Sequence, residues 1–79
     1  METRKYTVTA FGRNGLDVMS RISSLYLQKR IDVESFSFEQ QNAESAQYTI
    51  CAHTSETLIE RIVKQMSNLI DIEKVEYTC

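Results

Sequence analysis

The sequence predicts an α+β fold of four antiparallel strands and two helices, in the order βαββαβ, with both helices packed on one face of the sheet. Two kinds of period support this. Four stretches alternate apolar and polar residues, whereas two others repeat apolar residues every three or four positions. The segments between them are short and rich in Gly, Asn, Ser and Gln, so they read as turns.

The first strand is Lys5-Tyr6-Thr7-Val8-Thr9-Ala10-Phe11, with Tyr6, Val8 and Ala10 on one face and Gly12 as its expected terminator. After Asn14-Gly15, the residues Val18, Ile22, Leu25 and Tyr26 form a helical stripe, opposite Ser20, Arg21, Ser24 and Gln28. Lys29 and Arg30 then read as the basic end of that helix, complementing its dipole. At Ile31 the period changes to alternation through Phe38, which marks the second strand. Gln40 to Ser45 is a polar turn, and Ala46 to His53 alternates with Ala46, Tyr48, Ile50 and Ala52 on one side, completing a hairpin.

Thr54-Ser55 offers a hydroxyl cap, with Glu56 in the favourable first turn. Leu58, Ile59, Ile62, Val63, Met66, Leu69 and Ile70 follow at helical spacing, and the helix is expected to end near Asn68-Leu69. Ile72 to Thr78 is the last strand, with Val75 and Tyr77 facing one way. Right-handed crossovers place both helices on one face, giving the ferredoxin-like plait as one domain over residues 1–79. The second and fourth strands are then the sheet edges, and the other face is open or covered by another copy.

Composition narrows the function class. At 79 residues the chain has room for one domain, and a domain of this size buries only about 60% of its unfolded surface, so a partner would add stability. A net charge of -2 gives no positive field for nucleic acid or anionic lipid. No apolar run approaches the ~20 residues needed to span a bilayer, and Met1 to Lys5 lacks a signal-peptide core, so a cytoplasmic protein away from membranes is expected. Cys51, Cys79 and His53 have no metal-type spacing and read as free thiols and a strand-end imidazole. No nucleophile and base are brought together, and no phosphate loop is present. Asp32 with Glu34, and Asp71 with Glu73, read as carboxylates on solvated strand faces. A non-enzyme without a cofactor is expected.

Three runs carry a resemblance. They are Asn14-Gly15-Leu16-Asp17-Val18-Met19-Ser20-Arg21-Ile22, then Ile31-Asp32-Val33-Glu34-Ser35-Phe36, and finally Met66-Ser67-Asn68-Leu69-Ile70-Asp71-Ile72-Glu73-Lys74-Val75. In order and spacing they resemble the ACT family, and within it the small regulatory subunits of acetolactate synthase. Those subunits carry Asn-x-Pro-Gly-Val-Leu-x-Arg-Val, Tyr-Asn-Ile-Glu-Ser-Leu and Leu-x-Lys-Leu-Ile-Asp-Val-x-Lys-Val. The length is similar to that of the short type made of the ACT domain alone.

The resemblance implies a non-catalytic subunit that activates a thiamine-diphosphate large subunit in valine, leucine and isoleucine synthesis. It also implies a homodimer with an amino-acid effector held between the first turn of one copy and the second strand of the other. Carried over by position, Asn14, Asp17, Val18 and Asp32 are the effector-site candidates. Asn14 is retained, Leu16 replaces the proline, Asp17 the glycine and Asp32 the strand asparagine. A carboxylate at Asp17 repels a ligand carboxylate about 4 Å away by roughly 1 kcal/mol even in water, so little or no valine response is expected. Asp17 also has a purely structural account as a first-turn acid, and Asn14 as a cap or turn residue.

Two other readings start from the same residues. One is a free-standing ACT sensor acting on another protein, since a fold does not fix a function. The other is an RNA-binding plait with Phe11, Phe36 and Phe38 on the open sheet face, which the acidic balance opposes. Self-association is expected through the second strand, with Val33, Phe36 and Phe38 at the interface.

Overall fold

The computed structural model describes residues 3–79, as β1 (Arg4–Arg13), α1 (Leu16–Gln28), β2 (Asp32–Gln40), β3 (Ser45–Thr54), α2 (Glu56–Ser67) and β4 (Ile72–Thr78). All strand pairs are antiparallel and the sheet order is β2-β3-β1-β4, which leaves β2 and β4 at the edges as the sequence predicts. Val18, Ile22 and Tyr26 of α1 and Ile59, Ile62 and Met66 of α2 share one buried cluster with Tyr6, Val8, Ala10, Ala46, Tyr48, Ile50 and Ala52. Both helices therefore cover the same sheet face, and the strands alternate inward and outward as their period requires. Val75 and Tyr77 pair with Ala10 and Val8 on that face, and the Tyr6 and Tyr77 rings lie 6.0 Å apart.

Four sequence expectations change. Gly12 does not end β1, because the strand runs on to Arg13. A Cβ on Gly12 would strike the Asp71 carbonyl oxygen and come within 3.0 Å of the Ile72 Cα, where the β1–β4 register shifts. The glycine therefore permits a close passage of two backbones. Lys29 and Arg30 lie beyond the last turn of α1, which carries no basic residue, and Arg30 takes a left-handed φ of 52°. Ile70 is 94% exposed beyond the end of α2, so the apolar stripe stops at Met66, with Leu69 only partly packed on the core.

The fourth change is in β2. Val33 pairs with Ala52 but Ser35 pairs with Cys51, so Glu34 is an extra residue in a bulge. Strict alternation would put Val33 and Phe36 on opposite faces, whereas the bulge puts Val33, Phe36 and Phe38 together on the helix side. Phe36 and Phe38 pair with Ile50 and Tyr48 and are partly packed on the core, so they do not join Phe11 on the open face. Phe11 pairs with Gln47 there, and the Lys74 ammonium lies 5.8 Å from its ring centre. Glu34 reaches the open face, bonding the Lys5 ammonium at 2.9 Å and the His53 Nε2 at 3.0 Å. Ser55 caps α2 by accepting from the Leu58 N–H at 3.3 Å, as expected.

Candidate functional site

The β1–α1 turn is built from below by Tyr48. Its ring is fully buried, and its hydroxyl donates to the Arg13 carbonyl at 2.6 Å while lying 3.3 Å from the Gly15 N–H. Asn14 is not the cap of α1, since Gly15 holds that position without a side-chain bond. Instead the Asn14 N–H donates to the Glu44 carbonyl at 3.0 Å and its Nδ2 to the Ala43 carbonyl at 3.4 Å, tying the turn to the β2–β3 loop. That loop is itself closed by Asn42, whose Oδ1 accepts from the N–H groups of Glu44 and Ser45.

Above the turn lies a cluster of four charges. Arg13 donates to Asp71 through Nε at 2.9 Å and to Asp17 through Nη2, and Arg21 donates to the second Asp71 oxygen at 2.7 Å. Asp71, which reads as a solvated carboxylate in the sequence, is only 17% exposed at its side chain and joins both arginines. Hydrogen bonding from Arg13 holds Asp71 and Asp17 below the usual carboxylate range. The backbone N–H groups of Asp17 and Val18 also bond the Asp17 carboxylate and lower it further. A methyl group on Gly15 would sit 2.5 Å from Asp17 Oδ1 and 3.0 Å from Arg13 Nη1. The space beside the turn glycine, where the first helix amides face an anion, is therefore filled by the chain's own carboxylate and guanidinium.

Of the residues singled out from the sequence, Asn14 and Asp17 stand at this turn. Val18 is 1% exposed and belongs to the core under it. Asp32 pairs with His53 at the opposite end of the sheet, where β1 begins, whereas Gln40 pairs with Ala46 at the turn end. Roughly 30 Å of strand separates those ends, so one copy of the chain does not bring Asp32 to the turn. Arg13 and Tyr48 were not singled out. Arg13 to Asp71 spans 58 residues, and Tyr48 reads as core by its period.

Beside the β2 edge runs an apolar groove of about 220 Å³, lined by Ser23, Tyr26, Leu27, Ile31, Val33 and Phe36. Leu27 is 76% and Val33 38% exposed, and the buried Tyr26 hydroxyl has no hydrogen-bond partner. Among the described residues no helix is long and apolar enough to cross a membrane.

No family model matches the chain. It is 32% identical over 75 residues to the acetolactate synthase small subunit of Aquifex aeolicus, covering 94% of this chain but 39% of that protein. The acetolactate synthase small subunit of Thermotoga maritima superposes with a TM-score of 0.78 at 23% identity, over 94% of this chain and 47% of that one. The ACT domain of a GTP pyrophosphokinase from Chlorobium tepidum superposes with a TM-score of 0.82 at 6% identity, over 98% and 100% of the two chains. The chain thus has the ferredoxin-like fold of ACT domains, and in sequence it resembles the small subunit of acetolactate synthase.

Proposed function

We propose that this chain is a regulatory subunit of an acetolactate synthase, activating a thiamine-diphosphate catalytic subunit in branched-chain amino-acid synthesis and contributing no catalytic residue. The observation that carries this reading is the 32% identity to such a small subunit over 94% of the chain, on an ACT fold. The working unit is a homodimer formed along β2. Its unpaired backbone groups, the exposed Val33 and the apolar groove against α1 give that edge something to bury. Phe36 and Phe38 already pack partly on the core, so Val33 and Leu27 supply the freshly buried area.

Antiparallel pairing of β2 with its two-fold mate carries Asp32 of one copy toward the turn end of the other. An effector there would meet Asn14 and the Asp17 carboxylate on one side and a second carboxylate on the other. Arg13 is already engaged by Asp17 and Asp71. That balance opposes a branched-chain amino acid and supports activation without valine inhibition.

The test is co-purification with the acetolactate synthase large subunit of the same cell, followed by acetolactate formation with and without valine. Faster turnover that valine leaves unchanged is expected. No complex and no rate change would overturn the reading in favour of a free-standing sensor. For the dimer, Val33→Glu should shift sedimentation toward the monomer, and an unchanged profile would exclude this edge.

A further inference from the structure

Four large apolar side chains stand exposed among the described residues: Leu16, Leu27, Val33 and Ile70. Leu27 and Val33 border the groove at the β2 edge, whereas the other two lie at the β1–α1 end of the sheet. Leu16 opens α1 and is 74% exposed; Ile70, in the turn between α2 and β4, is 94% exposed. Their chain neighbours Asp17 and Asp71 are both held by Arg13, which places Leu16 and Ile70 beside one guanidinium. Neither belongs to the core. Single exposed leucines are ordinary, but two large apolar side chains rimmed by charge mark a contact surface. The charges between them are fixed and cancel, since Arg13 and Arg21 are bonded to Asp17 and Asp71. The Tyr48 hydroxyl holds the Arg13 carbonyl from below, so the surface is ordered before any partner arrives and loses little freedom on contact. Arg21 uses only Nη1 here, on Asp71, and its half-exposed side chain keeps further N–H groups to donate.

We propose that Leu16 and Ile70 are the two apolar anchors of the surface on which the catalytic subunit docks, set around an ion cluster that neutralises itself. This rests on the reading of the chain as a regulatory subunit, which needs a second contact surface once β2 is taken by its mate. The partner surface has a matching character: apolar recesses for the leucine and the isoleucine, with carbonyl or hydroxyl oxygens between them that accept from Arg21. A net charge would gain little against a neutral cluster, whereas apolar recesses gain from both anchors while the ring of ion pairs excludes water around them. A second copy lacks this chemistry. In a two-fold contact it would set Arg21 against the same cluster, whose carboxylates are already engaged.

The test is titration of the acetolactate synthase large subunit of the same cell with the parent chain, Leu16→Ser, Ile70→Ser and the double variant, beside sedimentation and thermal midpoints of each chain alone. Both side chains lie largely in solvent, so the variants should keep the parent's midpoint and sedimentation. Each single change should weaken the complex by at least about tenfold, and the pair by at least about a hundredfold. Because the cluster is neutral, raising salt from ~0.05 to ~0.5 M should change the parent's affinity by less than about threefold. A complex that the double variant forms as tightly as the parent would overturn this docking surface and leave the regulatory reading standing. No complex with the parent would overturn both. A double variant that sediments as a smaller species would make the patch a contact between copies, and a loss of affinity of about tenfold or more in high salt would make the contact a charged one; either result would overturn the proposal.

Discussion

The two ends of the sheet treat charge in opposite ways. At the β1–α1 end, Arg13, Arg21, Asp17 and Asp71 satisfy one another, and the amides of the first helix turn face a carboxylate of their own chain. At the other end, Arg30 and Asp32 have no ion-pair partner among the described residues, and they stand beside a helix capped by Ser55. Helix start, glycine or serine cap, and charged neighbours are common to both, so local motif does not decide how the charges are met. What differs is whether the chain supplies its own counter-charge.

The comparison breaks most severely at Gly12. Replacing it with Ala forces the Asp71 and Ile72 backbone away from β1 and costs on the order of 3 kcal/mol, by analogy with overpacked cores. The expected readout is a large loss of thermal stability together with release of Asp71, whereas the amide resonances of the Thr54 end keep their positions. A thermal midpoint equal to the parent's would show that the β1–β4 passage has room to spare.

A milder break is Tyr48→Phe. It removes the hydroxyl that holds the Arg13 carbonyl at 2.6 Å and should cost ~1 kcal/mol, leaving a partly buried carbonyl short of a donor. Faster amide exchange confined to residues 13–18 is the expected signature. Exchange that rises evenly through the sheet would mean that the hydroxyl serves the core rather than the turn.

Acid sharpens the contrast further. Asp71 and Asp17 titrate below their ordinary value of 3.8, so their contribution is present in full above that range and is lost as pH falls through it toward the folded values. Thermal midpoints of the parent should therefore drop faster below pH 4 than those of Asp71→Asn, and parallel curves would remove this cluster from the acid response. The smallest effect is expected for Asp17→Gly. Its carboxylate is more than half exposed, so stability should move little while the first α1 amides become available to an added anion. Shifts of the amides at position 17 and of Val18 in this variant on adding chloride or acetate, absent in the parent, would show that the tethered carboxylate was the occupant.

Much of this was legible in the sequence, and the exceptions have physical causes. The alternation of Tyr6, Val8 and Ala10 and of Ala46, Tyr48, Ile50 and Ala52 marks two central strands, because each has one face in a dry core. Ser55 was legible as a cap from its own chemistry. The Glu34 bulge was not, because an extra residue disturbs the period only where the strand is read against its neighbour. Gly12 looks the same in sequence whether it ends a strand or lets another backbone pass. The partners of Asp71 lie 50 and 58 residues away, beyond any local pattern, although its own run toward Val75 was part of the resemblance.

The Glu34 bulge bears on how far this protein can polymerise. Deleting that one residue would leave Val33 and Phe36 on the sides they already occupy, but it would straighten the edge and strip Lys5 of its counter-ion and His53 of its hydrogen-bond partner. A flat edge of that kind accepts strands of any chain that presents one. The kink and the charge it carries at the start of β2 make that stretch a poor template for open-ended strand addition, so a single inserted glutamate guards the edge against fibre growth.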